Sequence, residues 1–214
     1  MKERATAILE QIKLGKASQT DVDDFINELK AAIKSNPAQG KESGQYIAMI
    51  GAAFRAQPVK LDINWLPLSN GHLAIGHKPG GKLPFDGMKH AGTSAILTLL
   101  QENEDAAKIG TGAKNAGIDW IWFPFSASRP HEKERIQEVS DLYAILQQRL
   151  NNGEKIYIHC SAGIHRTGMI SYGLLRYLGQ DTITAKETLR SLREVTAEQV
   201  GEERLIWSEQ FASR

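Results

Sequence analysis

Ile156-Tyr157-Ile158-His159-Cys160-Ser161-Ala162-Gly163-Ile164-His165-Arg166-Thr167-Gly168 decides how this 214-residue chain folds. An apolar, β-prone run leads into the only cysteine of the sequence, and the residues from Arg166 onward have the pattern of a helix. A strand that stops at Cys160 and a helix that starts near Arg166 leave a short turn between them. Backbone N–H groups in such a turn converge on one point, and the helix N-terminus adds positive potential there. A phosphate dianion fits that point, and Arg166 can grip two of its oxygens at once. The same field favours a thiolate, and cysteines so placed titrate at roughly 3.5–7.5 instead of about 8.5. Thr167 can give its hydroxyl to the sulfur, stabilising the thiolate and easing its departure in a second step.

The segment from His159 to Gly168 resembles the signature of the cysteine-dependent protein-tyrosine phosphatase superfamily, in the form used by its tyrosine-specific branch. His165 stands where glycine is usual, and Thr167 where that branch prefers serine. The resemblance implies a phosphomonoesterase acting through a cysteinyl-phosphate, with Cys160 as nucleophile. Arg166 and the backbone of Ser161, Ala162, Gly163, Ile164 and His165 would bind the phosphate. Thr167 would serve the sulfur, and His159 would bond backbone near the cysteine and tune it. No metal and no organic cofactor is implied. The favoured substrate is phosphotyrosine in a protein, with phosphoserine or phosphothreonine also in view. Two other readings stay open. One is a phosphatase of phosphoinositides or other small phosphomonoesters, which a basic rim from the N-terminal helices would favour. The other is a phosphate-binding pseudophosphatase, against which the presence of Cys160, Arg166 and Thr167 counts.

The rest of the composition fits an ordinary α/β enzyme. A formal net charge of +1 gives no bulk electrostatic reason to expect nucleic acid or an anionic membrane as partner. A single cysteine excludes an intrachain disulfide, and no Cys/His cluster has zinc spacing. The first residues, Met1-Lys2-Glu3-Arg4-Ala5-Thr6-Ala7-Ile8-Leu9-Glu10, lack the apolar core of a signal peptide, and no apolar run is long enough to span a bilayer. A catalytic thiol suits a reducing compartment, so the cytoplasm is the expected location. Oligomeric state is not written in these residues.

Periodicity organises the chain in two parts. Residues 2–14, a stretch capped at Thr20-Asp21-Val22-Asp23, and residues 42–56 each carry a helical apolar stripe, so residues 1–57 read as a helical appendage. Its expected role is to cap the catalytic part by packing, with partner binding or substrate shaping as the alternative. From residue 58 strands alternate with helices. Strands are expected at Val59–Ile63, His72–Ile75, Ser94–Leu100, Ile118–Phe125 and Ile156–Cys160. Helices are expected at Phe85–Ala91, Asp105–Ala116, His131–Asn151, Arg166–Leu178, Ile183–Val195 and Glu198–Ser213. That alternation predicts an α/β fold with a mainly parallel central sheet covered by helices on both faces. Ligands then bind at the carboxyl ends of the strands, where the loops after Leu100, Phe125 and Cys160 meet. Gly76-His77-Lys78-Pro79-Gly80-Gly81-Lys82 lacks the spacing of a phosphate loop and reads as a surface turn.

One departure from the family stands out. Its general acid is usually an aspartate in the loop after the strand matching Ile118–Phe125. Here that loop reads Phe123-Pro124-Phe125-Ser126-Ala127-Ser128-Arg129-Pro130, which puts Phe125 or Ala127 at the acid's place, and neither carries a proton to give. Asp119 lies at the wrong end of the strand, about 20 Å from Phe125 at about 3.3 Å per residue. Among the carboxylates at the correct end, Glu132 and Glu104 rank first as substitutes. Arg129 is a candidate for a second anionic group. Gln199, in Thr196-Ala197-Glu198-Gln199, is a candidate for positioning water. Trp65, Trp120, Trp122 and Trp207 read as core or rim packing.

Overall fold

The computed structural model describes residues 1–55 (Arg55 by its backbone only), 61–126 and 135–212. The chain divides into two compact units, Met1–Pro58 and Val59–Arg214.

In the first unit, helices α1 (Lys2–Lys13), α2 (Gln19–Ser35) and α3 (Gly40–Arg55) close around Ala5, Ile12, Val22, Phe25, Leu29 and Ile50. The helical stripes lie where periodicity put them. The start of α2 does not. Ser18 is the cap: its side chain accepts from the Asp21 amide at 3.1 Å, and Asp21 accepts from the Ser18 amide at 3.0 Å. Thr20 is inside the helix, because this reciprocal box satisfies two otherwise unpaired N–H groups earlier in the chain.

The second unit is built on strands β1 (Leu66–Leu68), β2 (Gly71–Gly76), β3 (Ala95–Thr98), β4 (Asp119–Trp122) and β5 (Lys155–His159). Among the described residues they form one sheet in the order β1-β2-β5-β3-β4. β2, β5, β3 and β4 run parallel, and β1 is antiparallel at the edge. Every residue of β3 and nearly every one of β2 and β5 is buried, as a parallel sheet covered on both faces requires. The first strand differs from expectation. Leu61–Ile63 is not a strand, and Val59 and Lys60 lie outside the described residues. Leu66–Leu68 pairs with β2 instead, through a two-residue turn at Ser69-Asn70 in which Ser69 takes φ 53°. Pro67 is tolerated because β1 is an edge strand.

Helices α4 (Phe85–His90), α5 (Ala106–Asn115), α6 (Ile136–Asn151) and α7 (His165–Tyr177) fall where strand–helix alternation puts them; residues 131–134 of the third expected helix are outside the described range. α5 packs on β3 and β4, α6 on β2 and β5, and α7 on β5 and β2. α7 is buried continuously from Arg166 to Leu175, the pattern of a helix enclosed on all sides. The last two expected helices are resolved into more pieces: α8 (Thr182–Leu192), α9 (Glu194–Gln199), α10 (Glu202–Ser208) and a 3₁₀ turn, Glu209–Phe211. The first break is at Arg193, whose backbone is extended (φ −166°, ψ 109°). Gly201, with φ 91°, makes the second.

Candidate active site

β5 ends at His159 and α7 begins at His165, so Cys160 to Ile164 form the turn between them. Gly163 has φ 72°, and a Cβ there would sit 2.1 Å from the carbonyl oxygen of Gly76. Only glycine allows this turn both its backbone conformation and its contact with the end of β2. From outside, the Arg193 guanidinium donates to the carbonyls of Ala162 (3.0 Å) and Gly163 (2.9 Å), and the Thr196 hydroxyl donates to Gly163 (2.7 Å). The Lys78 amide donates to the Ser161 carbonyl at 3.0 Å. With its carbonyls held outward, the turn is left with amides facing in, as an anion cradle needs.

Cys160 is 4% exposed. Burial opposes its ionisation, but the Thr167 hydroxyl and the amides of Thr167, Gly163 and Ile164 favour the thiolate more strongly, and its pKa lies below the usual thiol value. The buried Thr167 hydroxyl forms no complete hydrogen bond, and it lies where it favours the Cys160 thiolate. His159 is buried and joined to two partners. Its Nδ1 lies 2.9 Å from the Cys160 carbonyl, which can only accept; Nε2 must then accept from the Thr98 hydroxyl at 2.8 Å. Trp120 Nε1 donates to the same Thr98 oxygen at 2.9 Å. Burial, helped by the nearby charges of Arg166 and Lys78, outweighs the bond to the Cys160 carbonyl and holds His159 neutral, its pKa pushed down to about 4. Trp120 is therefore a link in the support of the cysteine as well as a packing residue.

Arg166 is 6% exposed. Its Nη1 and Nη2 meet the two oxygens of Glu104 at 2.6 and 2.7 Å, and Nη1 also reaches the carbonyls of Leu99 (3.2 Å) and Phe125 (3.1 Å). Glu104 sits in a 3₁₀ turn, Glu102–Glu104, after β3, and its Oε2 also accepts from the Gln101 amide at 2.9 Å. The bond from Arg166 holds its carboxyl below the usual carboxylate range. Both Glu104 oxygens accept from the guanidinium, a geometry that favours positioning of Arg166 over the expected role as proton donor. Phe125 is a core side chain, packed against Trp207, and only its backbone serves the site. Asp119 opens β4 and pairs with Arg149 at the other end of the sheet.

Among the remaining expected residues, Ser161 and Ala162 are exposed on the turn, His165 is exposed at the first position of α7, and Gln199 is exposed at the last position of α9. Ala127, Arg129 and Glu132 lie outside the described residues. Arg193, Thr98 and Lys78 are contributions that the linear reading missed. Thr196 next to Arg193 was the available signal for the first. A groove of about 660 Å³, bounded by Lys114, Trp120, Ile145 and Arg149 along β4, contains none of the turn residues. Among the described residues no cluster of three or more His, Cys, Asp or Glu side chains is placed to hold a metal, and no helix is long and apolar enough to cross a membrane.

A strand, a cysteine turn and a buried arginine at the centre of a mainly parallel sheet can be compared with solved structures. The chain is similar to kinase-associated phosphatase, in a form whose catalytic-site cysteine is replaced by serine (TM-score 0.58, 19% identity, 72% of this chain and 94% of that one). It is similar also to Tk-PTP in its active form (TM-score 0.52, 18% identity, 68% and 95%). The chain shares the fold of these phosphatases. Mouse laforin is 31% identical over 65 residues, which are 30% of this chain and only 19% of the laforin chain. No protein-family model matches the chain. Within this phosphatase fold, Cys160, Arg166 and Thr167 stand together at the carboxyl end of the central strand, where the fold places its ligands.

Proposed function

We propose that the Val59–Arg214 unit is a phosphomonoesterase that prefers aryl phosphates, phosphotyrosine in proteins first among them. The observation that carries this is the convergence of three backbone amides, the Thr167 hydroxyl and the Arg166 guanidinium on one buried thiol. In the first step Cys160 Sγ attacks phosphorus, an S–P bond forms and the P–O ester bond breaks. Arg166 and the inward amides stabilise charge on the equatorial oxygens. In the second step water attacks phosphorus, the S–P bond breaks, and phosphate and the thiolate are released. The leaving alkoxide must find a proton. Glu104 is held ionised by Arg166, and Phe125 has no proton to give. A phenol, with pKa about 10, leaves with far less help than an alkyl alcohol. A reduced thiol of this kind works in a reducing compartment, and the cytoplasm is the location we assign.

Steady-state hydrolysis of para-nitrophenyl phosphate, a phosphotyrosyl peptide and a phosphoseryl peptide tests the reading. Expected is turnover of the first two, at least about 100-fold slower turnover of the third, and none in Cys160→Ser. Binding of phosphopeptide without turnover of any ester would leave a phosphate-binding module instead. Equal turnover of aryl and alkyl esters would mean that a proton donor operates after all.

A further inference from the structure

The segment Gly76-His77-Lys78, which reads in sequence as part of a plain turn, is fastened to the cysteine turn. A Cβ on Gly76 would lie 2.2 Å from the Tyr157 hydroxyl, and that hydroxyl donates to the His77 carbonyl at 3.0 Å. One residue later the Lys78 amide bonds Ser161, immediately after the nucleophile, and Gly163 leaves no room for a side chain between the two segments. The backbone under Lys78 is thus fixed at several points, while its side chain is exposed. This side chain springs from backbone bonded directly to the cysteine turn. Its charge favours ionisation of Glu104 and Asp105 and disfavours protonation of His159. Neither carboxylate neutralises it: Glu104 is taken by Arg166 at 2.6 Å and Asp105 by Lys108 at 2.8 Å. Among the described residues Lys78 makes no ion pair.

We propose that Lys78 forms a second anion subsite beside the phosphate cradle, selecting phosphotyrosyl peptides with an acidic side chain next to the phosphotyrosine. The inference rests on the phosphatase reading above. Arg166 and the amides already meet the charge of the phosphate itself, so a rigidly based cation at the rim is available to a neighbouring group. A single peptide carboxylate fits one cation better than a membrane surface does, because a bilayer would bring many anionic headgroups against the exposed Glu102 and Asp105, and one lysine offsets only one of them.

The test uses the full chain and two phosphotyrosyl peptides of equal length, one with Glu on either side of the phosphotyrosine and one with Gln there. For an exposed pair, wild type is expected to favour the acidic peptide by about 2–5-fold in kcat/KM, through KM, and less so at high salt. Lys78→Ala should bring the ratio to about one, and Lys78→Glu should invert it. A ratio that survives both variants, or equal losses on both peptides, overturns the subsite, since a structural role would affect the peptides alike. Phosphoinositide in phosphatidylcholine vesicles is the third substrate. Turnover there that depends on Lys78 more than the peptide ratio does would overturn the peptide assignment. Absence of para-nitrophenyl phosphate turnover in wild type would instead overturn the phosphatase reading on which the subsite depends.

Discussion

Glu104 is the residue whose meaning changed most between sequence and structure. As one carboxylate among several after β3 it qualified as a proton donor. In the fold both its oxygens are spent on Arg166, which a bidentate carboxylate pre-orients for phosphate. The two roles predict different kinetics. If Glu104 positions Arg166, Glu104→Gln should lower kcat/KM by about 10–100-fold without changing the shape of the pH profile. If it were the acid, wild type would show an alkaline limb that Glu104→Gln abolishes, and pH–rate profiles of both on para-nitrophenyl phosphate decide between the two roles. Thr98 and Trp120 reach the cysteine in a similar indirect way, through His159. Nothing in their local sequence pairs them with His159. Their bonds exist because β3 and β4 bring residues from separate strand–helix units into adjacent register.

Among the elements, the break between α8 and α9 matters most to the site. Ile183–Val195 reads as one helix, since no glycine or proline interrupts it. The extended backbone of Arg193 ends α8, and its guanidinium lies against the carbonyls of the cysteine turn. Three acceptors, two carbonyls and the Thr196 hydroxyl, stabilise a conformation that local propensity would not choose. Arg193→Ala should therefore raise KM for para-nitrophenyl phosphate and the inhibition constant of inorganic phosphate together, by about tenfold. Arg193→Lys should recover only part of this, because an ammonium lacks the guanidinium's fork of donors. A change in kcat alone would show that the turn keeps its shape without the arginine. The strand–turn–helix around Cys160 was legible for the opposite reason: its apolar run, glycine and helical pattern all agree with the geometry they adopt.

At the scale of the whole molecule, the buried network around His159 couples stability to pH. Its pKa is about 4 in the fold, against about 6.5 in an unfolded chain. The unfolded state thus takes up a proton first as the pH falls. Stability is at its full value above pH 6.5 and is lost as the pH drops toward 4, with a slope approaching about 1.4 kcal/mol per pH unit. Urea unfolding between pH 7.5 and 5 should show this decline, and a flat profile would mean that His159 is protonated or exposed in the fold. The sequence by itself determined the alternation of strands and helices, the helical character of the N-terminal unit, and the strand–cysteine–arginine–helix arrangement. These depend on periodicity and on neighbours along the chain, which a linear reading contains. Only the tertiary structure decided the first strand, the clamp of Glu104 on Arg166, the bonds from Arg193 and Lys78 to the turn, and the chain from Trp120 to Cys160. Each of these joins residues distant in sequence, and what fixes them is the need of buried donors, acceptors and charges for partners that only the folded sheet brings within reach.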